Sequence, residues 1–126
     1  MRMNLLAIFF GGMIGSIVRY VLVESFISDF PYGILLVNLI GSFLLGGSSV
    51  LLHRKNIPRT VRIGFTTGLI GSFTTYSTFA VENIEMILMG EYFTSFIYSF
   101  VSLMGGYFMA YLGISIAFNT KGERSV

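Results

Sequence analysis

"GSFTTYSTF", residues 71–79, interrupts a long apolar run with a cluster of hydroxyls. Thr74, Thr75, Ser77 and Thr78 stand almost side by side there, with the rings of Tyr76 and Phe79 set among them. The apolar stretch around them, residues 63–89, is too long and too polar in its middle to be a plain membrane span. A helix break is therefore expected near residues 74–79.

The composition explains why a span is in question. The chain has 126 residues, of which 54% are apolar and only 11% charged, with a mean hydropathy of +0.79. Roughly a quarter of the residues in a soluble domain are charged, so this chain has too few charges to cover a surface facing water. It is long enough for one compact domain. With no cysteine, disulfides, thiolate metal sites and thiol redox chemistry are excluded. The single histidine, His53, lies beside Arg54 and Lys55, a poor setting for a buried ligand or a general base.

Four stretches reach the roughly 20 apolar residues that a spanning helix needs. The first is 5–23. It resembles the apolar region of a signal peptide, but it lacks a small-x-small cleavage site and runs on through Arg19 and Tyr20, so a retained helix is expected. The second, 32–52, follows Pro31, a helix-start signal. The third is the interrupted 63–89, and the fourth is 93–118. Residues 119–126 form a polar tail expected to be a flexible cytoplasmic segment. No repeat or domain boundary is visible, so the chain reads as a single four-helix transmembrane domain over 1–126.

Small residues recur at steps of four: Gly11 and Gly15; Ser42 and Gly46; Gly64, Gly68 and Ser72; Gly106 and Ala110. This spacing puts them on one face of each helix, where they let backbones approach closely in lipid. Tight packing inside the bundle is the expected use.

Loop charges orient the spans. The N-terminus, the second loop and the C-terminus share one side, which carries Arg2, Arg54, Lys55, Arg59, Arg62, Lys121 and Arg124. The other side carries only Arg19, near a helix end. These are all eight basic residues, seven against one. The positive-inside rule then puts both termini in the cytoplasm. Of the six acidic residues, Glu24, Asp29, Glu82, Glu85 and Glu91 fall on the outer side and only Glu123 on the inner.

On this reading no Asp, Glu, Lys or His lies deep within a span. Proton-coupled carriers usually need such a group, and no nucleophile–base or carboxylate pair is in view for an enzyme. Neutral hydrogen-bonding groups remain: Asn38 and Ser42 on the second helix, the hydroxyls of the third, and Tyr98 and Ser102 on the fourth. Each pair is four residues apart and shares a face. A lone membrane Ser or Thr usually bonds back to its own helix carbonyl. Asn38 is costlier to bury and needs a partner. Together these groups can form a polar track through an apolar bundle. Hydroxyl and amide protons solvate a small anion, and ring edges help because the aromatic quadrupole is positive at its rim. Conduction needs weak, repeated sites, so a track without fixed charge suits passive anion flow. Arg19 can draw anions into a vestibule or simply extend its charge to the membrane surface.

These motifs resemble those of the Fluc/CrcB fluoride channels. "GLIGSFTTYSTFAVE", residues 68–82, is similar to that family's signature, whose core is a TTFSTF-like segment. "LLVNLIGSFLLG", 35–46, and "GGMIGSIVRY", 11–20, are similar to its other motifs. The resemblance covers nearly the whole chain in order. It implies an all-α membrane protein with four transmembrane helices and a broken third helix. It also implies an antiparallel dual-topology dimer in the cell membrane, passing fluoride out of the cytoplasm down its gradient. By motif position it makes Asn38 the pore asparagine and Phe79 the second of two pore phenylalanines, with Tyr76 in the place of the first. Ser77 and Thr78 fall in the broken helix, and Tyr98 and Ser102 in the fourth helix's polar track. A structural sodium ion at the dimer centre would be held by backbone carbonyls at Gly71 and Thr74, with no organic cofactor and no nucleic acid partner.

Two departures carry further expectations. Tyr76 adds a hydroxyl where the family has Phe, which puts the pore site built on that ring in question. The one-sided charges forbid dual insertion, so a heterodimer with an oppositely oriented homologous subunit is expected. A non-conducting partner subunit is the alternative. A small multidrug-resistance-type exporter would need a carboxylate within the first helix, and 5–23 contains none.

Overall fold

A computed structural model describes residues 1–26, 28, 30–54 and 57–120. Asp29, Lys55, Lys121, Glu123, Arg124 and the rest of the tail from 121 lie outside the described residues, so part of the charge count is not represented in the structure.

Every regular element among the described residues is helical. Helix α1 (Arg2–Glu24) and helix α2 (Tyr32–Arg54) each have 23 residues, about 34 Å of rise. Helix α2 starts at Tyr32, where Pro31 led the sequence reading to begin it. The third crossing comes in pieces: α3 (Arg59–Ile63), a π-helical segment (Gly64–Ile70), α4 (Gly71–Phe73) and, after a break, α5 (Ser77–Leu88). Helix α6 (Tyr92–Asn119) has 28 residues. Among the described residues, three helices are individually long and apolar enough to cross a membrane; the third crossing is divided and rich in hydroxyls. The expected break near 74–79 occupies Thr74, Thr75 and Tyr76. The chain is an integral membrane protein with four helical crossings.

Small residues set the helix pairing. A Cβ on Gly11 would collide with the Gly64 carbonyl, and one on Gly15 with the Leu69 carbonyl and the Ser72 hydroxyl. With the Asn4–Thr60 hydrogen bond, 2.7 Å at one end, these contacts run α1 parallel to the third crossing. On the other side, a Cβ on Gly105 would meet the Leu39 side chain, one on Gly46 would strike the Ala110 carbonyl and one on Gly47 would approach the Gly113 carbonyl; the numbers rise together, so α2 runs parallel to α6. The four-residue steps therefore serve close helix contact in lipid, as expected.

Helix α5 stops at a Schellman cap. Gly90 takes φ +82°, its N–H donates to the Ile87 carbonyl at 3.0 Å, and the Glu91 N–H donates to Met86 at 2.8 Å. That double bond and the left-handed glycine are the signature of the motif. The chain turns straight into α6.

Little apolar surface is buried within the chain. Ile34, Val37, Ile70, Phe73, Met86, Tyr98 and Ala117 form the core. Phe9, Phe10, Ile14 and Ile17 of α1 and Phe93, Phe96, Phe100 and Tyr107 of α6 face outward. In water this would be an aggregation surface; in a bilayer it is the solvent contact.

Candidate functional site

The site begins with an amide. Asn38 lies two turns into α2, and both ends of its side chain engage one residue of the third crossing. Its Nδ2 donates to the Thr75 carbonyl at 2.9 Å, and its Oδ1 accepts from the Thr75 N–H at 2.9 Å. In an unbroken helix that N–H would donate to the Gly71 carbonyl, four residues back. Asn38 substitutes for the helix, and the Gly71 oxygen loses its donor.

The other side of the break is held by hydroxyls. The Thr78 N–H donates to Thr75 Oγ1 at 3.3 Å, so the Thr75 hydroxyl satisfies one of the free N–H groups at the start of α5. Thr75 Oγ1 also lies 3.1 Å from Thr78 Oγ1 and 3.3 Å from Ser77 Oγ. Because Thr78 is taken, the Thr74 carbonyl is freed as well. The Arg19 guanidinium reaches it across the bundle at 3.5 Å. Arg19 thus points at the break, between the two alternatives read from sequence. The break leaves the carbonyls of Gly71, Ser72 and Phe73 without their helical donors, and with Thr74, which Arg19 also reaches, these are oxygens of the kind that a hard cation such as sodium favours. No cluster of three His, Asp or Glu side chains suited to a metal exists among the described residues.

Beside the break lies a cavity of about 420 Å³. Asn38, Gly41, Ser42 and Leu45 of α2 form one wall, and Ser99, Ser102 and Leu103 of α6 another. The third crossing closes it with Thr66, Ile70, Gly71, Thr74, Thr75, Tyr76 and Phe79. No ionisable Asp, Glu, Lys, Arg or His is in this lining. Of the residues singled out from sequence, Asn38, Gly71, Thr74, Tyr76, Phe79 and Ser102 meet here. Ser77 and Thr78 lie outside the lining, exposed beside the break. Tyr98 is fully buried behind Phe79, the ring centroids 5.1 Å apart.

A count of protons distinguishes the lining groups. The Ser42 hydroxyl donates to the Asn38 carbonyl at 2.8 Å, Thr66 to Arg62 at 2.9 Å and Thr74 to Ile70 at 3.1 Å. Ser99 donates to Asn83 Oδ1 at 2.9 Å. Among the described residues, only the Ser102 hydroxyl is buried without a partner. Asn38 Nδ2 carries two protons and uses one of them on Thr75. The cavity therefore offers Ser102 O–H and the second Asn38 N–H as uncommitted donors beside the rings of Tyr76 and Phe79, and the exposed Tyr76 phenol adds a third. Those rings stand 6.0 Å apart. Burying a hydroxyl without a partner costs about 1–3 kcal/mol, so the Ser102 proton is available to whatever occupies the cavity.

Sequence reasoning missed two residues behind this wall. Glu82, counted with the outer-side acids, accepts from the Tyr98 hydroxyl at 2.7 Å and so lies against the track. Nothing in the spacing links residue 82 to residue 98. Asn83 donates to the Phe79 carbonyl at 2.9 Å and accepts from Ser95 and Ser99. Here a signal existed: Phe79 and Asn83 are four apart on one helix, as are Ser95 and Ser99 on the next, so each pair shares a face.

Known proteins are similar to this chain over most of its length. The model of the CrcB-like protein, Camphor Resistance (CrcB) family matches residues 6–114. The chain belongs to the CrcB family. It is 38% identical over 126 residues to the fluoride-specific ion channel FluC of Oceanobacillus iheyensis, covering 98% of each chain. It is 36% identical over 115 residues to FluC of Hydrogenobaculum sp., covering 88% of this chain and 94% of that one. FluC 1 of Bacillus cereus is 40% identical over 110 residues, 83% of this chain and 80% of the relative. As a CrcB protein the chain is an ion channel and not an enzyme.

Proposed function

We propose that this chain is a subunit of a passive, fluoride-selective channel that releases fluoride from the cytoplasm, and that the cavity beside Asn38 is part of its path. The observation that carries this reading is the Ser102 hydroxyl, buried, unpartnered and facing a cavity without fixed charge. A dehydrated anion would take that proton and the spare Asn38 proton, with the edges of Phe79 and Tyr76 completing its shell. Each contact is neutral and individually modest, so the ion can also leave. An inside-negative potential favours anion exit by about 2.3 kcal/mol per elementary charge per 100 mV.

The subunit is proposed to work in an antiparallel dimer, both termini of this chain cytoplasmic by the seven-to-one charge bias. Tyr76 is 80% exposed, and Ser77 and Thr78 are exposed too, at the middle of a membrane crossing. Polar groups there do not face lipid; a second subunit would cover them. Because one orientation is strongly favoured, the partner is proposed to be a homologous chain inserted the other way. A sodium ion at the dimer centre, held by the Gly71 carbonyl and by the Thr74 carbonyl beside Arg19, would neutralise oxygens that the break takes out of the helix. These oxygens fit it; the ion would supply charge to the break and no chemistry to the track.

The test is fluoride efflux from vesicles, measured with an electrode, for this chain alone and together with a homologue of reversed loop charge. Flux only from the pair supports the reading. Robust flux from the purified chain alone, as a homodimer, refutes the heterodimer, and no flux from either refutes the channel. Exchanging sodium for a large organic cation is expected to lower the thermal stability of the assembled dimer. A second reading, a non-conducting partner subunit, is favoured by the Tyr76 hydroxyl. It predicts that Ser102→Ala in the assembled pair leaves flux untouched.

A further inference from the structure

We infer that Asn83 is a positioning residue that keeps the Ser99 proton out of the anion path and so limits how tightly the cavity holds its ion. The inference rests on the proposed function above.

The argument starts from the Phe79 carbonyl, which can only accept. The Asn83 atom 2.9 Å from it must therefore be Nδ2, and this fixes the orientation of the amide. Its Oδ1 then faces α6, where it meets Ser95 Oγ at 2.8 Å and Ser99 Oγ at 2.9 Å. An amide oxygen cannot donate, so both serines must give it their single hydroxyl proton. Ser95 is buried and takes no part in the cavity. Ser99 lines it, but with lone pairs and a methylene rather than a proton.

The consequence concerns Ser102, three residues further along α6 and on the same face. It presents a free hydroxyl to the same cavity. Were Ser99 released, two adjacent hydroxyl donors would converge on the ion. A site that binds more tightly passes ions more slowly once filled. Through one amide, Asn83 links the carbonyl of the pore residue Phe79 to the donor count of the opposite wall. It touches the ion nowhere.

The test uses the assembled channel and the dependence of fluoride current on fluoride concentration. Asn83→Leu keeps the volume and removes both roles of the amide. It is expected to lower the half-saturating concentration by a factor of about 3 to 10, the effect of one added neutral hydrogen bond, and to lower the maximal current with it. Adding Ser99→Ala should return both values to those of Ser99→Ala alone. A smaller maximal current with unmoved half-saturation, not rescued by Ser99→Ala, would reduce Asn83 to a brace between α5 and α6 and overturn the inference. Failure of both Asn83→Leu and Asn83→Ala to assemble would overturn it too. If the wild-type channel carries no current, the proposed function fails; if it does and Asn83 variants titrate like wild type, only the inference fails.

Discussion

Asn38 and Thr75 are locked together by two hydrogen bonds of 2.9 Å, one to each end of a single peptide residue. A side chain of α2 thereby occupies the bonding positions that the third helix would otherwise fill from itself. The break is thus built by two crossings in common, and Asn38 serves it while still keeping one proton for the cavity.

Asn38→Leu has a definite expected outcome. It strands the Thr75 N–H and carbonyl, at about 1–3 kcal/mol each. The helix can recover the N–H by closing back onto Gly71, which abolishes the break. Either way fluoride flux should fall to that of empty vesicles. Flux at the wild-type rate, with the protein folded, would show that the pair is dispensable.

Ser102→Ala separates function from folding. Removing a buried hydroxyl that bonds nothing leaves stability within about 1 kcal/mol of wild type or raises it. The same change should raise the half-saturating fluoride concentration by about 3- to 10-fold. Thermal unfolding and current titration on one preparation check both halves.

Tyr76→Phe removes the hydroxyl from an exposed ring and keeps the ring edge. A phenol proton near the path adds a donor, so its loss should raise maximal flux while stability stays within about 0.5 kcal/mol, as for surface substitutions. An unchanged current titration would mean that this hydroxyl points away from the ion.

Gly90→Ala tests the turn rather than the path. At φ +82° a side chain costs about 1–2 kcal/mol, so the unfolding temperature of the assembled channel should drop. Half-saturation at low temperature should not move, because Gly90 is remote from the cavity lining.

Much of the architecture could be read from the chain because hydropathy and helix signals are local. Four apolar stretches, Pro31 before α2 and the hydroxyl run at 74–78 all act over a few residues. The π-helical segment was not legible: its bonds run one residue further than in an α-helix, and "GFTTGLI" reads as ordinary helix. The partners of Arg19 and Glu82 were hidden for another reason. Arg19 meets Thr74 from 55 residues away and Glu82 meets Tyr98 from 16, and only packing brings such groups together. Charge counting assigned Glu82 to a side of the membrane, whereas a buried tyrosine decides what its carboxylate touches.

The π-helical segment also governs phase. Seven residues wound more loosely than an α-helix absorb roughly one residue that an α-helix would have turned by about 100°. Everything beyond Ile70 is aimed by that slack. Deleting one residue between 64 and 70 would let the coil tighten with every downstream side chain kept in its old direction; adding one would swing Thr75 away from Asn38. The third crossing therefore tolerates a change of length in one sense only, and its stored turn sets the bearing of Thr75, Tyr76 and Phe79.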